Sequence, residues 1–137
     1  TTWQRTLGFV NAPVLFQHAL ISGLVEKFQF DTEWYEQRRN AMCNGLKEAG
    51  LELVVPEGAF YAFPKVPEGC KDGDELSAKL AERLVLVVPA RAFGEPMYVR
   101  LSFSVPKVET ITKAMVIVKE VVAEFKAKAK AKSASSN

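Results

Sequence analysis

Two cysteines and one histidine are all that this 137-residue chain offers for thiol or soft-metal chemistry. Cys43 and Cys70 lie far apart and share no ligand spacing, and with His18 alone beside them no zinc site can be assembled, so no metal is expected. Two thiols without a disulfide framework fit a reducing compartment, and the cytoplasm is the expected location. No apolar run approaches the roughly 20 residues that span a bilayer. The N-terminus also lacks the charged segment and apolar block of a signal peptide, so no membrane partner is expected. A Gly-x-Ser-x-Gly nucleophile elbow, a Walker loop and a Gly-x-Gly-x-x-Gly loop are all missing.

A surplus of one charge is missing too. The formal net charge is +2, yet residues 126–137 read KAKAKAKSASSN and hold four lysines and no acid. The body of the chain is therefore slightly acidic, and no nucleic-acid partner is expected. The tail reads as a solvated, disordered segment. What is present is ordinary globular material: 48% hydrophobic and 25% charged residues, enough for a single domain with one core.

The apolar pattern gives the elements. Leu7–Val10 reads as a short strand closed by Pro13. Leu15, Phe16, Ala19, Leu20, Val25 and Phe28 predict a helix from Pro13 to Gln29, with proline in the first turn, where no donor is lost. A second helix is expected over Thr32–Ala49, with Asp31 as N-cap, a Phe30/Tyr35 staple, a stripe of Tyr35, Met42, Leu46 and Ala49, and Gly50 as the stop. Two β segments follow, Leu51–Val55 and Ala59–Phe63, joined at Glu57–Gly58. Leu76, Leu80 and Leu84 predict a helix capped by Asp72 or Asp74. Val85–Val88 reads as a buried strand, Ala90–Pro96 as a loop and Met97–Val105 as another strand. Ile111, Met115, Val118, Val122 and Phe125 predict a final helix over Val108–Phe125. The expected fold is α+β: a small mixed or antiparallel sheet of about four strands covered by helices.

Candidate chemistry is sparse. His18 reads as a partly buried or interfacial histidine, Cys43 as core and Cys70 as an exposed loop thiol. Arg100 stands out, because it sits inside Tyr98-Val99-Arg100-Leu101-Ser102-Phe103, a strongly β-forming run. It faces either water at a sheet edge or a desolvated site, where a guanidinium needs an anion. Its planar fork suits a carboxylate.

The company of Arg100 extends the reading. PEGAFYAFP at 56–64, VLVVPARAFG at 85–94 and YVRLSF at 98–103, followed by a helix, resemble the C-terminal part of the class I/II, fold type I aminotransferases related to aspartate aminotransferase. Tyr35-Glu36-Gln37-Arg38-Arg39-Asn40 and Leu46-Lys47-Glu48-Ala49-Gly50 look like the family's Y-x-x-R-R-D and L-x-x-x-G helix. Gln4-Arg5-Thr6-Leu7-Gly8-Phe9 looks like the stretch after its cofactor lysine. The resemblance spans about residues 3–125.

The resemblance implies a pyridoxal 5'-phosphate enzyme acting on an amino acid and a 2-oxo acid, dimeric in its full-length form. Arg100 matches the arginine that clamps the substrate α-carboxylate, and Phe60 matches a strand edge near the substrate pocket. Arg5 matches the cofactor-phosphate arginine, although Arg5-Thr6-Leu7-Gly8 carries one residue more than the family's Arg-x-Gly. None of Lys27, Lys47, Lys65 or Lys79 lies in a Ser-x-x-Lys context that would mark the Schiff-base lysine. The expectation is a fragment, inactive alone: residues 1–29 a remnant of the large domain and connecting helix, 30–125 the small C-terminal domain, 126–137 the tail. Two other readings stay open, another fold type I enzyme (a carbon–sulfur lyase or a synthase) and a non-enzymatic interaction module.

Overall fold

The computed structural model of the chain describes residues 13–26 and 31–134; the strand expected at Leu7–Val10, the staple residue Phe30 and Arg5 lie outside the described residues. The chain divides into two compact units between Thr32 and Glu33.

The first unit contributes helix α1, Val14–Val25. Pro13 stands at its N-cap with φ −57° and ψ 130°, where a missing N–H costs nothing. The helix carries no charged residue. None of its residues is buried, and Leu15, Phe16, Leu20 and Val25 are exposed. His18, expected to be partly covered, is exposed as well.

The second unit holds α2 (Thr32–Glu48) from Glu33 onward, β1 (Tyr61–Ala62), α3 (Gly73–Ala81), β2 (Val88–Pro89), a 3-10 turn (Ala90–Phe93), β3 (Val99–Ser102) and α4 (Val108–Ala134). The strands form one antiparallel sheet in the order β1-β3-β2. The α+β class is as the sequence predicts, with three short strands among the described residues where about four are expected for the chain. α2 buries Met42, Cys43 and Leu46 along the expected stripe, and Gly50 ends it at φ 76°. α4 buries Ile111, Met115, Val118, Val122 and Phe125 at the expected spacing. These meet Leu76, Leu80, Val99 and Phe103 in a single apolar core.

Three local differences have physical causes. Leu51–Val55 forms no strand: Leu51 drops into the core after Gly50, Val54 is exposed, and one backbone bond, from Lys65 N–H to the Glu52 carbonyl at 2.8 Å, ties the segment to the sheet. Leu84 does not continue the Leu76/Leu80 stripe. α3 stops at Ala81, and the Val85 N–H closes back on the Leu80 carbonyl at 3.0 Å, which leaves Leu84 outside the turn at φ 61° and 92% exposed. The expected buried strand Val85–Val88 is therefore an edge: Val85 points inward, while Leu86 and Val88 are exposed.

The fourth difference concerns the tail. Residues 126–134, expected to be disordered, extend α4 to Ala134. Alanine and lysine are strong helix formers. Lys126 fastens the extension by donating from Nζ to the carbonyls of Ala49 (3.2 Å) and Gly50 (3.1 Å) at the end of α2.

Candidate functional site

Arg100 lies on β3, the central strand, not at an edge. Val99 and Leu101 alternate into the core, so Arg100 and Ser102 stand on the opposite face of the sheet. Val88 pairs with Arg100 on one side. On the other, Tyr61 pairs with Ser102 and Lys65 bridges Tyr98, a register that sets Phe63 opposite Arg100. The guanidinium carbon lies 4.5 Å from the Tyr61 ring centroid and 4.9 Å from that of Phe93. The cation thus sits half-buried between two aromatic faces, a favourable cation–π setting.

The rings around it support one another. Phe63 stacks on Tyr98 at 5.4 Å with an interplanar angle of 13°, and meets Phe93 edge-on at 6.5 Å. Phe60 tilts against Tyr61 at 4.4 Å and keeps 39% of its surface exposed. Phe93 ends the 3-10 turn, which closes through Gly94 at φ 84°, a conformation glycine adopts without strain. The structure therefore brings Arg100 and Phe60 to one aromatic cluster through Tyr61. Arg5 is outside the described residues.

Among the described residues, no carboxylate lies within ion-pair distance of Arg100. A half-buried guanidinium among neutral groups is a ready receptor for a carboxylate, which it can hold by two parallel hydrogen bonds. A separate groove of about 300 Å³ opens beside Leu101, lined by Met42, Leu86, Val105, Ile111 and Met115. No titratable group lines it, so it adds no chemistry to the Arg100 face.

The two thiols lie elsewhere. Cys43 is buried as expected, and burial pushes its pKa up. Cys70, expected to be exposed in its loop, is buried at 8% exposure and donates to the Asp72 carbonyl at 3.2 Å. Burial pushes its pKa up to about 11. Neither is a thiolate nucleophile at neutral pH.

Arg38 is the residue whose importance sequence reasoning passes over. It is 6% exposed and, among the described residues, pairs with no acid. Instead Nε donates to the Val105 carbonyl (2.7 Å), Nη2 to Pro106 (2.6 Å) and Nη1 to Trp34 (2.8 Å), and the guanidinium lies 3.5 Å over the Trp34 ring. It thereby ties α2 to the segment that leaves β3. The signal was present: position 38 falls between Tyr35 and Met42 on the buried stripe, a place where a solvated arginine does not belong.

Comparison with known proteins places the chain in a family. The family model for class I and II aminotransferases matches residues 8–118. A probable aspartate aminotransferase of Methanocaldococcus jannaschii is 45% identical over 89 residues, covering 64% of this chain and 23% of that protein. The aromatic-amino-acid aminotransferase 2 of Thermococcus litoralis is 40% identical over 97 residues, covering 67% and 24%. A solved aminotransferase from Eubacterium rectale superposes with a TM-score of 0.74 at 33% identity, covering 89% of this chain and 29% of that one. The chain thus spans about a quarter of the length of the relatives it matches.

Proposed function

Because the chain belongs to the class I and II aminotransferase family, we propose that it is the C-terminal portion of a pyridoxal-phosphate-dependent amino-acid aminotransferase, in which Arg100 grips the substrate α-carboxylate. One observation carries the reading: a half-buried guanidinium on the central strand, flanked by Tyr61 and Phe93, with no acid among the described residues to neutralise it. Fixing the carboxylate fixes the orientation of the bond to be broken at Cα, which is where positioning accelerates the reaction. In this reading Phe60, which packs on Tyr61, borders the substrate, and Arg5 keeps the cofactor-phosphate role that its place in the family motif implies.

Pyridoxal phosphate, when bound, supplies the electron sink. The described residues around Arg100 do not form a site for it. Its ladder and ring neighbours are Phe63, Val88, Tyr98, Ser102, Tyr61 and Phe93, and Lys65, which the register puts opposite Tyr98, is paired with Glu52 at 3.7 Å. The cofactor lysine and the remaining machinery belong, in this reading, to other parts of a longer, cytoplasmic and dimeric enzyme. Residues 1–29 are then the end of its large domain with the connecting helix, and 30–125 its small domain, inactive alone.

The test is Arg100→Ala in the longer enzyme. Loss of a bidentate, charge-assisted pair is worth about 3 kcal/mol, so KM for the amino acid is expected to rise on the order of 100-fold. An unchanged KM removes Arg100 from the site.

A further inference from the structure

We infer that Arg38 is a positioning residue: it clasps the opening turn of α2 to the exit of β3, and so sets how the chain ahead of α2 is delivered to the strand that carries Arg100. The inference rests on the proposed function for its kinetic consequence; its structural half stands on the clasp itself.

The clasp joins two segments far apart in sequence. Nη1 donates to the Trp34 carbonyl in the opening turn of α2 at 2.8 Å, and the guanidinium lies 3.5 Å over the Trp34 ring. Nε and Nη2 donate to the carbonyls of Val105 and Pro106, just past Ser102, where β3 ends. One planar fork thus divides its donors between two segments, a spread that the single nitrogen of a lysine cannot match.

On the α2 side little else holds. The buried residues of α2 begin at Arg38 and continue with Met42, Cys43 and Leu46. Ahead of Arg38, Thr32, Glu33, Glu36 and Gln37 are exposed, while Tyr35 leans on the core. The opening turn of a helix is its weakest, because its leading N–H groups have no partner within the helix. The chain passes from the first unit to the second in this turn, between Thr32 and Glu33.

On the β3 side the exit is wound tightly. The Val105 N–H donates to the Phe103 carbonyl at 2.9 Å, and the Ser104 N–H to Ser102 Oγ at 3.3 Å. Phe103 is sealed in the core at 1% exposure. A shift of the Val105 and Pro106 carbonyls therefore carries the end of β3 with it. In the proposed enzyme the chain ahead of α2 brings Arg5 and β3 brings Arg100, so a loosened turn lets the two drift out of register. A productive arrangement that is populated only in part raises the apparent KM in proportion and leaves the saturated rate alone, since substrate draws the population back.

The experiment has two arms. In the 137-residue chain, amide hydrogen exchange is compared between the native sequence and Arg38→Lys, which keeps the charge and loses the fork. The amides of residues 36–39 bond back to the opening turn of α2. They are expected to exchange roughly tenfold faster in the variant, beyond any change shared with the core amides of Met42 and Leu46. Trp34→Leu, at a partly covered position, removes the ring but leaves the three hydrogen bonds; it should loosen the same amides by a smaller factor, and serves alone if Arg38→Lys does not fold. Exchange that changes in step along the whole of α2 overturns the inference. In the longer enzyme, Arg38→Lys is expected to raise KM for the amino acid about tenfold at unchanged kcat. A fall in kcat at constant KM is what loss of folded enzyme produces, and it overturns the inference too. Neither outcome touches the clamp, which falls only if Arg100→Ala leaves KM unchanged.

Discussion

Replacing Arg38 by methionine is the sharpest probe of how the second unit is held together. The substitution keeps most of the side-chain volume but removes every donor. The carbonyls of Val105 and Pro106, at 2.7 and 2.6 Å from the guanidinium, lose their partner on α2. Hydrogen bonds from a charged group contribute about 1.5–3 kcal/mol each, so the pair accounts for about 3–6 kcal/mol. The contact with the Trp34 ring adds roughly 0.5–1 kcal/mol. A loss of about 4 kcal/mol is therefore expected, against the 5–15 kcal/mol typical of a whole domain. Urea unfolding followed by far-UV circular dichroism should show the midpoint falling while the slope stays constant. Arg38→Lys, which keeps the charge but not the fork, should lose about half as much. The usual remedy of replacing a buried charge with a hydrophobe does not apply, because the acceptors are main-chain groups that remain in place. A loss below about 1 kcal/mol for Arg38→Met would refute the reasoning.

Two further perturbations test the packing. A Cβ at Gly45 would come within 2.6 Å of Met115 Cβ, an atom fixed to the backbone of α4, so Gly45→Ala is expected to cost about 1–3 kcal/mol by forcing α2 and α4 apart, read as a lower Tm. Cys70 gives a pH signature: its thiol titrates at about 11 in the fold against 9.0 for the free group. The unfolded chain therefore releases the proton first. The neutral buried thiol contributes about 2–3 kcal/mol below pH 9, and this is lost as pH rises from about 9 through 11. Urea midpoints across that range should fall more steeply for the native chain than for Cys70→Ala; parallel profiles would show that the thiol is not desolvated.

Helical periodicity was the most legible part of the sequence. α2 and the first part of α4 lie where Met42, Leu46, Ile111, Met115 and Val118 put them, because those residues face the core in a repeat that only a helix satisfies. Arg100 was legible as a candidate, though its mid-sheet position was one of two open alternatives until the β1-β3-β2 order was known. The strands were less legible, since a two-residue ladder such as Val88–Pro89 leaves almost no period to read. Leu84 misleads because its spacing from Leu80 is helical while a chain reversal intervenes. Cys70 misled because the loop around it is covered by tertiary contacts that no local pattern encodes, whereas the place of Arg38 on the α2 stripe marked it as covered without showing its carbonyl partners beyond β3.

The place of Arg100 on β3 has one more consequence. Its main chain is laced on both sides, to Val88 across one ladder and to the β1 segment across the other, so it cannot slide or peel away as an edge residue does. Rings above the head group narrow the torsions left to the side chain. An arginine in water surrenders up to about 2 kcal/mol of rotamer freedom when it is immobilised. Here much of that surrender happened during folding, so an arriving anion meets a hand already held out and forfeits little of its attraction in steadying it.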